Sequence, residues 1–323
     1  MKRTIIILGT IIAIATAAIA QKEIADKTWT NGDCEYHVLQ EGNTLIFSGF
    51  DRHEGGFGFA LDKQANGKMV ISQMQKDDVS YYCFEQYLAS TMEYKVLNGQ
   101  EVLLVKNNKD ALVDVFINDN LNDMLTSSAV CYLAGSYSDA DGKKYTFSAD
   151  APRANGFGKT EQYNVVALYY LPGLLISFGD SNPYLVTGDS RSSVNELRLL
   201  LQPCIENGEG DWEPQTTGQL ELLKTNWSSA VDKNISGRYP YASARVMTRG
   251  ELMLFSNDEL DIMRNEIFAR RGHIFKTTRY RDHFEANPWY KGTVNDATGL
   301  LSEIERLNIE QIVATQQIIR NAN

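Results

Sequence analysis

The densest grouping of ligand-recognising side chains is Arg270, Arg271, His273, Trp289 and Tyr290. Two guanidiniums offer forked donors that suit carboxylates. An indole and a phenol offer flat apolar faces with a polar tip. His273 has no second metal-ligating residue at motif spacing, which leaves it a solvated or capping residue. Arg270 can equally tie a helix end to Glu266 or to backbone carbonyls, and Trp289 and Tyr290 can equally fill a core. No nucleophile, base and orienting group stand together, and no G-x-S-x-G or H-E-x-x-H is present. The set fits binding rather than bond-making: no catalytic residue, cofactor or metal site is expected.

Elsewhere the chemistry reduces to structure. Asp139-Ala140-Asp141-Gly142 resembles the start of a calcium loop but lacks the later ligands, and a type I′ turn explains it. Gly55-Gly56-Phe57-Gly58-Phe59, after Arg52-His53-Glu54, precedes no helix signal, so it cannot cradle phosphate; a bulged aromatic strand is expected. The four cysteines, Cys34, Cys83, Cys131 and Cys204, lie at neither zinc nor C-x-x-C spacing. In an exported chain they fit two disulfides, of which Cys34–Cys83 with Cys131–Cys204 keeps each bridge inside one expected domain, or buried free thiols.

Export is read from the first 20 residues. Lys2 and Arg3 precede an apolar run from Ile5 to Ile19, and Ala18-Ile19-Ala20 fits a signal-peptidase site. The protein is therefore expected in the periplasm or outside the cell, with no membrane span after cleavage. Residues 21–237 carry 17 Lys/Arg and 30 Asp/Glu, and residues 238–323 carry 12 and 11. An acidic body of this kind disfavours nucleic acid as a partner.

The elements that must position the C-terminal residues follow from periodicity. Strand signals fill residues 21–237: Tyr36–Leu39, Thr44–Phe47, Met69–Ser72 after Asn66-Gly67, Tyr94–Leu97 and Glu101–Val105 about Asn98-Gly99, then Ala111–Ile117. After a break at Leu125-Thr126-Ser127-Ser128 come Tyr145–Phe147, Val165–Tyr170, Leu174–Phe178, Tyr184–Val186 and Leu197–Leu201. The fold class expected is α+β and multidomain. Two antiparallel β-rich domains of barrel or sandwich type, residues 21–125 and 126–230, precede a small helical domain at 238–323. Residues 205–237 read as a connector with one strand at Leu220–Leu223. The two β-rich halves have similar lengths and openings, consistent with a duplication.

The helical domain is locally well specified. Ser256 and Glu259 have capping-box spacing after Phe255, and Ser302 and Glu305 repeat it. Leu260, Met263, Ile267 and Phe268 share a helix face, and Ala269 suits close packing. Gly272 fits the left-handed residue that ends a helix. In a last helix Ile304, Leu307, Ile312, Ile318 and Ile319 share one broad side. The run Arg264-Asn265-Glu266-Ile267-Phe268-Ala269-Arg270-Arg271-Gly272, with Asn287-Pro288-Trp289-Tyr290 downstream, resembles the signature of the YARHG domain, a small bacterial extracellular domain, over about residues 238–315. Phe268 stands for the motif's tyrosine and Arg271 for its histidine, which removes a phenol and an imidazole. The resemblance implies an accessory role beside other exported modules, with no defined molecular function. A non-catalytic binding protein of the cell envelope, with an envelope component or protein as partner, is the function expected. A β-barrel carrier of an apolar ligand and a wall or peptide hydrolase with two carboxylates are the alternatives.

Overall fold

Period-two alternation of apolar residues rolls roughly the first third of the chain into a barrel. The computed structural model describes residues 22–51, 55–64, 68–73, 75–76, 79–80, 87–158, 162–166, 174–188, 197–208, 210–227 and 235–322. The leader-like segment, Arg52-His53-Glu54, Asn66-Gly67, Cys83 and residues 167–170 lie outside them. Two compact units are present, Met1–Leu121 and Asn122–Asn323.

In the first unit, β1 (Thr28–Thr30), β2 (Glu35–Glu41), β3 (Thr44–Asp51), β4 (Gly55–Lys63) and β5 (Met69–Gln73) follow one another. After a two-stranded hairpin, β6 (Gln75–Lys76) and β7 (Val79–Ser80), come β8 (Thr91–Leu97), β9 (Gln100–Lys106) and β10 (Leu112–Asn118). The barrel is an antiparallel up-and-down meander, closed where β10 pairs with β1. Trp29, Tyr36, Phe47, Phe59, Tyr87 and Phe116 are fully buried in its core. Phe47 and Phe59 stack at 4.7 Å. Asn98 and Gly99 both have positive φ, as the type I′ turn joining β8 to β9 requires. The glycine-rich run is a strand but not a bulged one, since Gly55–Phe59 pairs with β3 residue for residue.

One polar group is buried with these aromatics. A register shift between Leu112 and Asp114 turns Asp114 inward, where it is 0% exposed. Its Oδ2 accepts from the Tyr87 hydroxyl and, at 3.0 Å, from Asn31 Nδ2. Asn31 Oδ1 in turn accepts from the amides of Asp33 and Cys34. A buried acceptor thus fixes the β1–β2 loop.

The second unit opens with α1 (Leu121–Leu133), which runs through the break expected at Leu125–Ser128. Ser128 and its neighbours read as punctuation, but the Ser128 hydroxyl donates to Met124 O at 2.9 Å within the helix. Leu121, Met124, Ser128 and Tyr132 are buried at helical spacing, and that burial overrides the local preference. There follow β11 (Gly135–Ser138), β12 (Lys144–Phe147), β13 (Ala154–Asn155), β14 (Tyr163–Val166), β15 (Leu174–Phe178), β16 (Tyr184–Gly188), β17 (Arg198–Glu206), β18 (Trp212–Pro214) and β19 (Leu220–Trp227). Apart from β18, this is again an eight-stranded up-and-down sheet in which the last strand, β19, pairs with the first, β11. The ends meet through the Arg153–Gln162 bridge and a 2.9 Å bond from Tyr163 N to Pro152 O. Both halves therefore share one strand order, the feature a duplication would leave.

Two local expectations change here. The loop at Asp139 is not type I′, because only Gly142 has positive φ. It is a longer loop closed by Asp139, whose Oδ1 accepts from the amides of Asp141 (3.0 Å) and Lys143 (2.9 Å). Residues 205–227 are largely strand rather than connector: β18 pairs with the end of β17. Its Trp212 packs with an outer-face patch of Leu175, Leu185 and Cys204.

That patch explains the cysteines. Leu199 and Leu201 of β17 face the core, so Cys204, three residues on from Leu201, points to the other side of the sheet. Cys131, on α1, packs against the core. Opposite faces cannot be bridged, and Cys131 and Cys204 are free thiols, contrary to the expected pairing.

The helices are α2 (Tyr241–Ala244), α3 (Arg249–Leu252), α4 (Asn257–Arg270), α5 (Thr278–Glu285) and α6 (Glu303–Ala322), with a 3₁₀ turn at Thr298–Leu300. They are not separated from the second sheet by a core boundary. One apolar cluster runs from Tyr137, Leu199 and Leu222 of the sheet to Phe255, Leu260 and Met263 of the helices. Tyr132 meets Phe255 edge-on at 5.0 Å. The inner face of α6 also differs from its expected apolar side. Ile318 is 43% exposed, whereas Asn308, Gln311, Thr315 and Gln316 are buried. Asn308 explains the exchange: its Nδ2 donates to Ala242 O (2.8 Å) and Arg245 O (2.7 Å), and its Oδ1 accepts from Met247 N (2.9 Å).

Asp114→Ala removes a buried acceptor of the Tyr87 hydroxyl and one of the two acceptors of Asn31 Nδ2. It should lower stability by about 2–4 kcal/mol, read as a fall in the denaturant midpoint of the full chain.

Candidate functional site

The signature segment lies where α4 ends. A capping box starts that helix, with Ser256 Oγ accepting from Glu259 N and Glu259 Oε2 accepting from Ser256 N. Its end is a Schellman motif: Gly272 N donates to Ala269 O (2.9 Å) and His273 N to Phe268 O (3.1 Å), with Gly272 at φ +78°. Gly272 O then accepts from Thr293 N (2.7 Å) and Val294 N (2.9 Å), which pins the 291–294 segment beside the helix end. A Cβ at Gly272 would lie 2.4 Å from Thr293 Oγ1.

The five residues expected to bind do not act alike. Arg270 is occupied internally: Nη2 donates to Glu266, Nε to Ser236 O at 2.7 Å, and Nη1 to Ser243 Oγ at 3.0 Å. Tyr290 donates its hydroxyl to His273 O at 2.7 Å. His273 lies between Phe268 and Phe275, with a buried Nδ1 that has no partner among the described residues. It is half-buried rather than solvated. Phe268 packs with Phe275 and Phe284, and Ala269 is 2% exposed. Arg271 and Trp289 remain partly open to solvent. Arg271 donates through Nε to both oxygens of Glu305 (3.1 and 2.9 Å) and is 38% exposed, while Glu305 is fully buried.

Arg271, Gly272, Trp289, Lys291, Thr293 and Leu300 surround an open groove of about 430 Å³. No carboxylate or carboxamide side chain lines it. Among the described residues, Arg271 Nη1, Lys291 Nζ, Thr293 Oγ1 and Trp289 Nε1 have no protein partner. Lys291, Thr293 and Leu300 were not singled out from sequence as binding residues. Lys291 adjoins the Trp289-Tyr290 pair, and that adjacency was the available signal; Leu300 comes into place only through the 3₁₀ turn.

A second polar locus joins the sheet to the start of α4. Lys224 on β19 is 8% exposed, with its Nζ 5.3 Å above the Tyr137 ring. Burial lowers its pKa from the ordinary 10.5 to about 7, against the pull of Glu259. Burial likewise raises the Glu259 carboxyl, opposed by the bonds from Ser256 and by Lys224. The Tyr132 hydroxyl is buried without a partner among the described residues and would lie 3.6 Å from a Cβ on Gly188. No titratable group here opens on the groove described above.

Residues 238–317 match the family model of the YARHG domain. The helical part of the second unit is thus a YARHG domain, with Phe268-Ala269-Arg270-Arg271-Gly272 at the name-giving motif and the groove beside it. The family is of bacterial extracellular type and of undefined function. No curated protein and no solved structure matches the chain. Among the described residues no helix is long and apolar enough to cross a membrane, and no group of His, Cys, Asp or Glu is placed to hold a metal ion.

Gly272→Val combines a disfavoured φ with a clash at Thr293. It should cost about 1–3 kcal/mol in the denaturant midpoint of the full chain; an unchanged midpoint contradicts the helix-stop assignment. The depressed Lys224 pKa has a fixed sign. Between pH 7 and 10 the unfolded chain holds a proton that the folded chain has released, so stability should rise with pH through that window. Glu259 acts oppositely on the acid side, where its raised pKa makes stability fall as pH climbs past the ordinary 4.5. Lys224→Met should flatten the melting temperature between pH 7 and 9.5.

Proposed function

We propose that the chain is an exported, non-catalytic binding protein of the bacterial envelope, and that its YARHG domain engages the partner through the groove beside Gly272. The observation that carries this reading is the groove's lining: unmatched donors and apolar carbons, with no carboxylate or imidazole facing in. Such a wall can hold a ligand, and no carboxylate or imidazole lines it to act as a general base. A two-carboxylate hydrolase has no counterpart in this groove. The carrier alternative is disfavoured by the six buried aromatics that fill the first barrel.

The test uses the full chain without its leader-like segment. Deleting 238–323 would uncover the sheet residues that share the helical core, so a point variant is the cleaner probe. Lys291→Glu reverses the one groove cation that lacks a carboxylate partner among the described residues. Retention on purified peptidoglycan and outer-membrane fractions should fall several-fold, by roughly the loss of one charge-assisted contact. Equal retention by the variant would remove the groove from the binding surface.

A further inference from the structure

The groove's ligand class can be narrowed, on the reading that it is a binding site. We propose that it receives the free carboxylate end of a peptide chain, with the last side chain lying against Leu300 and Trp289.

Charge comes first. Arg270 is balanced by Glu266 and Arg271 by Glu305, so Lys291 leaves one uncompensated positive charge at the rim. The groove also sits at the C-terminal, electronegative end of α4, which disfavours a dianion. A singly charged carboxylate matches this balance better than a phosphate monoester.

The donors come second. Glu305 holds Arg271 along one edge, through Nε and Nη2, and leaves Nη1 without a protein partner among the described residues. With Lys291 Nζ and Thr293 Oγ1 on the same groove, two oxygens of one carboxylate can be met from separate directions. No side-chain carboxylate or carboxamide is present to accept from hydroxyls, so a sugar would leave most of its own donors unmet.

Apolar surface comes third. Leu300 is 53% exposed beside the half-buried Trp289, a large contact area next to the cations. The volume, about 430 Å³, lies at the small end of ligand pockets and suits the end of a chain rather than its length.

The experiment is calorimetric titration of the full chain with the acetylated tripeptide Ala-Ala-Leu bearing a free carboxylate, with the same peptide as its carboxamide, and with inorganic phosphate. The free acid should bind at least roughly tenfold more tightly than the amide, as loss of a charge-assisted pair requires. Lys291→Gln should weaken the acid several-fold while its thermal melt matches that of the parent protein, because Lys291 is exposed and has no carboxylate partner among the described residues. Equal binding of acid and amide, tighter binding of phosphate, or no effect of Lys291→Gln would overturn the assignment. The Lys291→Glu retention assay separates the two levels. If envelope retention falls but acid and amide do not differ, only the ligand class is wrong. If retention is unchanged too, the groove is not the binding surface.

Discussion

Three carboxylates taken out of water organise the helical part of this protein. Glu251, Glu266 and Glu305 are each 1% exposed or less, and each faces an arginine: Arg245, Arg270 and Arg271. A buried carboxylate without such a partner costs several kcal/mol, so each arginine is constrained before any ligand is considered. Further donors complete the shells. Glu266 accepts from the amides of Arg238 and Tyr239, and Glu305 accepts from Ser302 N while capping α6. The signature run is thereby read physically: Glu266 and Arg270 fasten the helix to the incoming chain, and Arg271 fastens its end to the start of α6. What stays partly open to solvent at the helix end is Arg271 and the side chains pinned next to it by Gly272.

The same logic explains why the helices and the second sheet form one unit. The helical segment is small, and α4 buries Glu259, Ile262 and Ala269 as well as the expected Leu260, Met263 and Ile267. A helix buried over most of its circumference needs neighbours on several sides. The sheet supplies one of them, through Tyr132, Tyr137 and the Lys224 side chain over the Tyr137 ring.

Much of this was legible where local chemistry decides structure. Asn98-Gly99 makes its turn because both residues tolerate positive φ, Ser256 and Glu259 cap reciprocally, and Gly272 stops its helix. Alternation identified the meander strands. What was hidden depends on contacts distant in sequence. Ser128 sits inside α1 because the surrounding helix is buried, β18 is held by the outer-face patch, and α6 turns Asn308 inward while Ile318 stays out. The aromatic and arginine residues of the signature were visible as types, but their division between internal ties and groove wall was not. Arg270 and Arg271 are adjacent in sequence yet bond to different elements, 236–243 and α6.

Asn308 bears on the order of assembly. It bonds the carbonyls of Ala242 and Arg245 and the amide of Met247, across more than 60 residues of chain. Glu305, on the same helix, supplies the counter-charge for Arg271. For a chain made or threaded through a membrane pore N-terminus first, these groups arrive after everything they complete. Until α6 emerges, the 242–247 loop and the end of α4 lack their buried partners, and the helical domain cannot settle. The helical domain is therefore completed last, when α6 brings Asn308 and Glu305 to the groups that precede them in the chain.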